Sequence, residues 1–136
     1  EVTAGDGAAS RTLTVGKPAR FVFRLSGLMV GLNLTFNLWN DHGQPIVGFS
    51  SAVPGQSDRR GEGEESLFVC ELDQVNLMPG RYRMNVQLAA GIDLQDHVEA
   101  ATVVDVEPGT LDGRPIGAGG HCPVAFPHRW RLPAGI

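Results

Sequence analysis

Leu32-Asn33-Leu34-Thr35-Phe36-Asn37-Leu38-Trp39 alternates apolar with polar or amphipathic side chains without a break. In an extended chain a period of two sends successive side chains to opposite faces. Leu32, Leu34, Phe36 and Leu38 therefore share one face, and Asn33, Thr35, Asn37 and Trp39 share the other. This is the pattern of a strand with one face in a core and one face free. Asn40-Asp41-His42-Gly43 follows directly and reads as a turn joining antiparallel strands, with Pro45 to Phe49 returning.

The same period recurs on either side. Arg81 to Ala89 sends Tyr82, Met84, Val86 and Leu88 inward and Arg81, Arg83, Asn85 and Gln87 outward, after a bend at Leu77-Met78-Pro79-Gly80. Arg20 to Ser26 sets Phe21, Phe23 and Leu25 against Arg20, Val22 and Arg24, and Gly27 ends it. Further strands are predicted at Arg11 to Val15, Ser66 to Leu72 and Val98 to Val106, with a final one within His121 to Leu132 that holds Trp130. Ser50 to Glu65 and Gly91 to Asp96 read as polar loops, and Thr110 to Gly120 as a Gly-rich linker to the final strand. Residues 1–15 are an edge or linker region. About eight short strands and no significant helix predict an all-β fold. The expected architecture is an antiparallel β-sandwich, immunoglobulin-like or jelly-roll-like, formed by residues 1–136 as a single domain.

The composition fits this. A chain of 136 residues suits one domain with its own core. Hydrophobic residues make up 42% and charged residues 19%, which separates it from disordered sequences. Its 18 glycines and nine prolines punctuate it too often for long helices. The net charge of −4 and the absence of a basic block exclude a nucleic-acid footprint. No apolar run nears the roughly 18 residues that span a bilayer. The chain opens at Glu1 and carries no signal peptide, so a piece of a longer polypeptide is expected. Cys70 and Cys122 make no disulfide framework, and Cys70, within Leu67-Phe68-Val69-Cys70, reads as a buried small hydrophobe.

Signals for catalysis are weak. No phosphate-binding Gly-x4-Gly-Lys run exists, and Gly117, Gly119 and Gly120 open no helix. His42, His97, His121, Cys122 and His128 follow no zinc spacing, so no metal or other cofactor is expected. No serine sits in a Gly-x-Ser-x-Gly elbow. Glu71, Glu99 and Asp105 are acids on outward strand faces, which spacing alone does not pair for glycoside hydrolysis.

The outward residues Asn33, Thr35, Asn37, Trp39, Arg83, Asn85 and Gln87 are more informative. If their two strands are neighbours, they form one patch of amides, a hydroxyl, a guanidinium and an indole. Sugar hydroxyls both donate and accept hydrogen bonds, and amides answer both needs. The apolar face of a pyranose can pack on Trp39. An ordinary polar sheet surface with Trp39 partly covered is the plainer alternative. A protein-interaction sandwich using an exposed patch or strand edge is another.

Several segments, taken in order, resemble a known family. They are Gly16-Lys17-Pro18 before Phe21-x-Phe23-x-Leu25, Leu32 to Asn40 running into Asp41-His42-Gly43-Gln44-Pro45-Ile46, and Leu77-Met78-Pro79-Gly80-Arg81-Tyr82. Gly91-Ile92-Asp93 leading to Asp96, Ala101-Thr102-Val103-Val104-Asp105-Val106, and His128-Arg129-Trp130 complete the set. Together they resemble the C-terminal carbohydrate-binding domain of Wzt-type ATP-binding subunits of bacterial O-antigen polysaccharide ABC transporters. The resemblance spans about Gly16 to Leu132. It implies an immunoglobulin-like sandwich that recognises finished polysaccharide without catalysing a reaction, at the cytoplasmic face of the inner membrane. It also implies an ATPase domain before Glu1, a transmembrane transporter subunit as partner, and a homodimer with terminal-strand exchange. The Ser50 to Glu65 loop and Gly117-Ala118-Gly119-Gly120-His121-Cys122 depart from the family pattern, and no binding residue carries over by motif.

Overall fold

The computed structural model describes residues 2–3, 10–25, 31–59, 67–90, 93–117 and 122–135, with the backbone alone for 2–3 and 93–101. The strands in chain order are β1 (Val2–Thr3), β2 (Thr12–Thr14), β3 (Ala19–Arg24), β4 (Leu32–Trp39) and β5 (Pro45–Ser50). They continue with β6 (Leu67–Leu72), β7 (Gly80–Ala90), β8 (Asp93–Glu107), β9 (Gly109–Leu111) and β10 (Arg114–Ile116). The described residues contain no helix.

A five-stranded sheet, ordered β2-β8-β7-β4-β5, lies against a three-stranded sheet, β1-β3-β6. Alternation dictates the contact. The inward Phe36 of β4 meets Phe21 and Phe23 of β3 at ring-centroid distances of 5.1 and 4.9 Å, and stacks on Phe49 of β5 at 4.6 Å. Leu34, Leu38, Tyr82, Met84, Val104 and Val106 complete that side of the core. Each fully buried side chain of this size contributes about 1.5–3 kcal/mol. The Tyr82 hydroxyl donates to the Met78 carbonyl at 2.6 Å, tying β7 to the bend before it. Immunoglobulin-type sandwiches use the same corner tie.

Two glycines let the chain cross itself at the base. Gly16 adopts a φ of +82°, and a Cβ there would overlap the Thr110 carbonyl; a Cβ on Gly109 would overlap the Val15 carbonyl. Only glycine tolerates both demands. The crossing seats the buried Val15 and Leu111 in the core.

The all-β sandwich stands as expected, with four local corrections. Asp93 to Asp96 belong to β8 and not to a loop, because the 11-residue β7 offers a ladder long enough to pair them. The supposed linker holds the hairpin β9–β10, turned at Asp112 (φ +52°) and Gly113 (φ +77°). β2 pairs with β8 in parallel, the exception in an otherwise antiparallel arrangement of these strands. No strand forms within residues 122–135, where Pro123, Pro127 and Pro133 withhold ladder donors. That segment is tied at its start, through Met78 N–H to the Pro123 carbonyl and Ala125 N–H to the Asn76 carbonyl, and again where Arg114 Nη2 of β10 donates to the His128 carbonyl at 3.2 Å.

Candidate functional site

β4 and β7 are direct neighbours in antiparallel register. Trp39 stands opposite Arg83, Asn37 opposite Asn85, and Thr35 opposite Gln87. Asn33 faces Ala89, one step beyond. All seven residues singled out by alternation therefore lie on one face of the five-stranded sheet. Directly opposed side chains there have Cβ atoms about 4.5–5.5 Å apart. Arg83 and Gln87 are exposed, and the other five are half-buried.

The face extends onto both neighbours. On β5, Ser50 stands opposite Thr35 and Gly48 opposite Asn37. On β8, Val103 stands opposite Arg83 and Asp105 opposite Arg81. Three β8 residues, 99–101, span the length that Asn85 alone covers on β7, so a bulge lies beside the middle of the patch. Bulges bend a strand and re-aim its side chains.

Hydrogen bonding divides the patch in two. Toward the Ser50 end the groups satisfy one another. The Thr35 hydroxyl donates to Ser50 Oγ at 3.2 Å, and Ser51 Oγ donates to Asn33 Oδ1 at 3.1 Å while accepting from the Leu34 N–H at 2.9 Å. Asn33 and Thr35 thus clamp β4 to the end of β5. Toward the turn the groups are freer. The Asn37 amide lies over Gly48, where a Cβ would come within 2.8 Å of its Oδ1. The indole N–H of Trp39 is buried with no acceptor among the described residues, which leaves the ring face as its means of contact. Next to it, Arg81 Nε donates to Asp105 Oδ1 at 2.9 Å. That hydrogen bond and the carboxylate's charge hold the guanidinium above its ordinary pKa.

Sequence reading missed Gly48, Ser50, Ser51 and the Arg81–Asp105 pair. Gly48 and Ser50 fall on alternate positions of Pro45–Ser50, so the signal was a polar or absent side chain at every second place of β5.

The chemistry available here is recognition by hydrogen bonds, ring stacking and charge. Among the described residues no three His, Cys, Asp or Glu gather in a way that could hold a metal ion. Cys70, on the inward face of β6, is half-buried; burial pushes its thiol up, with Asp58 and Glu71 adding to the effect, so it stays protonated at neutral pH. Cys122 is free and exposed. No helix of the described residues is long and apolar enough to cross a membrane.

No protein-family model and no curated protein matches the chain. A solved structure does. The crystal structure of the C-terminal domain of Wzt is similar with a TM-score of 0.56 and 14% identity, over 88% of this chain and 77% of that one. At that identity the likeness shows a shared fold.

Proposed function

We propose that the outward face of the five-stranded sheet binds a polysaccharide, and that the domain is a non-catalytic recognition module of a bacterial O-antigen export ABC transporter. The observation that carries this is the register: seven residues singled out by strand alternation stand on adjacent strands, six as opposed pairs, and bring amides, a hydroxyl, a guanidinium and an indole together. The likeness of fold to the C-terminal domain of Wzt supports the setting. In that setting an ATPase domain precedes Glu1, a transmembrane subunit is the partner of the whole protein, and the module works at the cytoplasmic face of the inner membrane.

The exposed half of Trp39 receives the apolar side of a sugar ring, and Asn37 and Gln87 exchange hydrogen bonds with its hydroxyls. An open sheet face binds weakly, on the order of micromolar to millimolar. Two copies on one polymer raise the avidity.

A homodimer is part of the proposal. Residues 126–132 are held to the sandwich through Arg114 Nη2, which donates to the His128 carbonyl at 3.2 Å, and leave Phe126, Trp130 and Leu132 at 68%, 69% and 68% exposure. Phe126, His128, Trp130 and Leu132 alternate with Pro127, Arg129 and Arg131, which gives the segment one apolar face if extended. Exchange of this arm with a second copy buries that face.

The test is calorimetric titration of O-polysaccharide from the source bacterium into wild type and Trp39→Ala. About 50 Å² of ring at ~25 cal/mol/Å² gives roughly 1.3 kcal/mol, a tenfold loss of affinity. Equal binding by the two proteins removes this face from the site. A blank titration, with a protein partner captured through the arm, would favour a protein-interaction module.

A further inference from the structure

We infer that the Trp39–Arg83 row seats an anionic substituent of the saccharide, a carboxylate or a phosphate; this rests on the saccharide reading above. The two arginines that β7 sends to this face differ in their circumstances. Arg81 is paired with Asp105 at 2.9 Å. Arg83, two residues on and exposed, has no ion pair or hydrogen bond among the described residues. Among the described residues the Asp105 carboxylate is therefore taken by Arg81, and the Arg83 guanidinium makes no ion pair.

The surroundings of Arg83 say what it can meet. Its opposed residues are Trp39 on β4 and Val103 on β8, so the guanidinium rises between an indole and an aliphatic side chain. A charge-assisted hydrogen bond formed there is stronger than one between neutral groups. A guanidinium offers five donors and no acceptor, so a neutral hydroxyl satisfies it poorly, whereas carboxylate and phosphate match it with two parallel bonds. Distances agree as well. Neighbouring strands lie about 4.8 Å apart. A pyranose resting on Trp39 therefore brings a substituent on its ring within reach of the next strand, where Arg83 stands.

The test is an array of neutral, carboxylate-bearing and phosphate-bearing saccharides, probed with wild type, Arg83→Gln and Arg83→Lys at low and high salt. Wild type is expected to favour acidic saccharides, and that signal should fall as salt rises. Arg83→Gln should lose about tenfold more on acidic than on neutral saccharides, with Arg83→Lys in between. The stronger of the carboxylate and phosphate signals identifies the group. Neutral saccharides bound as well as acidic ones, or acidic preference kept by Arg83→Gln, overturns the inference and leaves the saccharide reading intact. An array blank for wild type overturns both.

Discussion

Replacing Tyr82 with Phe removes one oxygen from the corner that fixes β7. The phase of β7 decides which of its side chains reach the platform, so this tie matters to the site as well as to the core. Tyr82 is 4% exposed, and its hydroxyl donates to the Met78 carbonyl at 2.6 Å. The variant loses a hydrogen bond and leaves an acceptor in a partly buried place, for a cost of ~1.5 kcal/mol. For a domain of this size that lowers the Tm by about 3–6 °C. The same residue predicts a pH dependence. Burial, and secondarily the charge of Asp41, raise the phenol's pKa in the folded state above its ordinary value. A phenol so raised favours the fold in its neutral form. Its contribution is therefore complete below the unfolded pKa of about 10, and is lost as pH climbs through the folded value. Tyr82 is the only tyrosine, so the ultraviolet absorbance of phenolate reports on it alone. Wild type should titrate late and lose stability above pH ~10, and Tyr82→Phe should lack that extra loss. A phenol that titrates at its ordinary pKa in the folded protein, or a variant that melts with wild type, refutes the corner as described.

Gly109→Ala should destabilise by at least ~2 kcal/mol in chemical denaturation, since the new methyl overlaps the Val15 carbonyl of a buried segment; a variant with unchanged midpoint would show that the crossing yields. Ending the chain after Ala125 should convert a dimer to a monomer in light scattering and leave the sandwich folded, because Leu77 and Val124 still bridge; a truncated chain that stays dimeric removes the arm from the interface.

Where the sequence was informative, one physical circumstance explains it. Strands β4 and β7 each bury one face and free the other, so both wrote their orientation into a period of two. Adjacency came out because both are long and their cores align, Phe36 with Val86 and Leu38 with Met84. The hairpin at Asp112-Gly113 was passed over for a different reason. Asp-Gly is a strong two-residue turn signal, but its strands have three residues each, too few to show alternation among so many glycines. β8 was cut short at Val98 because Asp93-Leu94-Gln95-Asp96-His97 is mostly polar and reads as a loop, whereas the 11-residue β7 supplies the ladder that pairs it. The final strand expected within His121 to Leu132 does not form in residues 122–135, because a strand needs an edge to pair with and the local sequence does not say whose.

The split of the platform follows from β5. A sheet face whose side chains bond to one another is rigid but has little capacity left for a ligand, because each satisfied donor must first be released. Ser50 and Ser51 impose that state on Thr35 and Asn33. Gly48 and Pro45 do not impose it on Asn37 and Trp39, since neither has a side-chain donor or acceptor to offer. The strand at the sheet's margin therefore decides which half of the β4 face is scaffold and which half is free to recognise. The spare guanidinium of Arg83 lies beside the free half. A variant carrying serine at position 48 should extend the clamp over Asn37 and weaken saccharide binding while leaving the fold intact; binding and stability that both match wild type would separate the platform's chemistry from its edge.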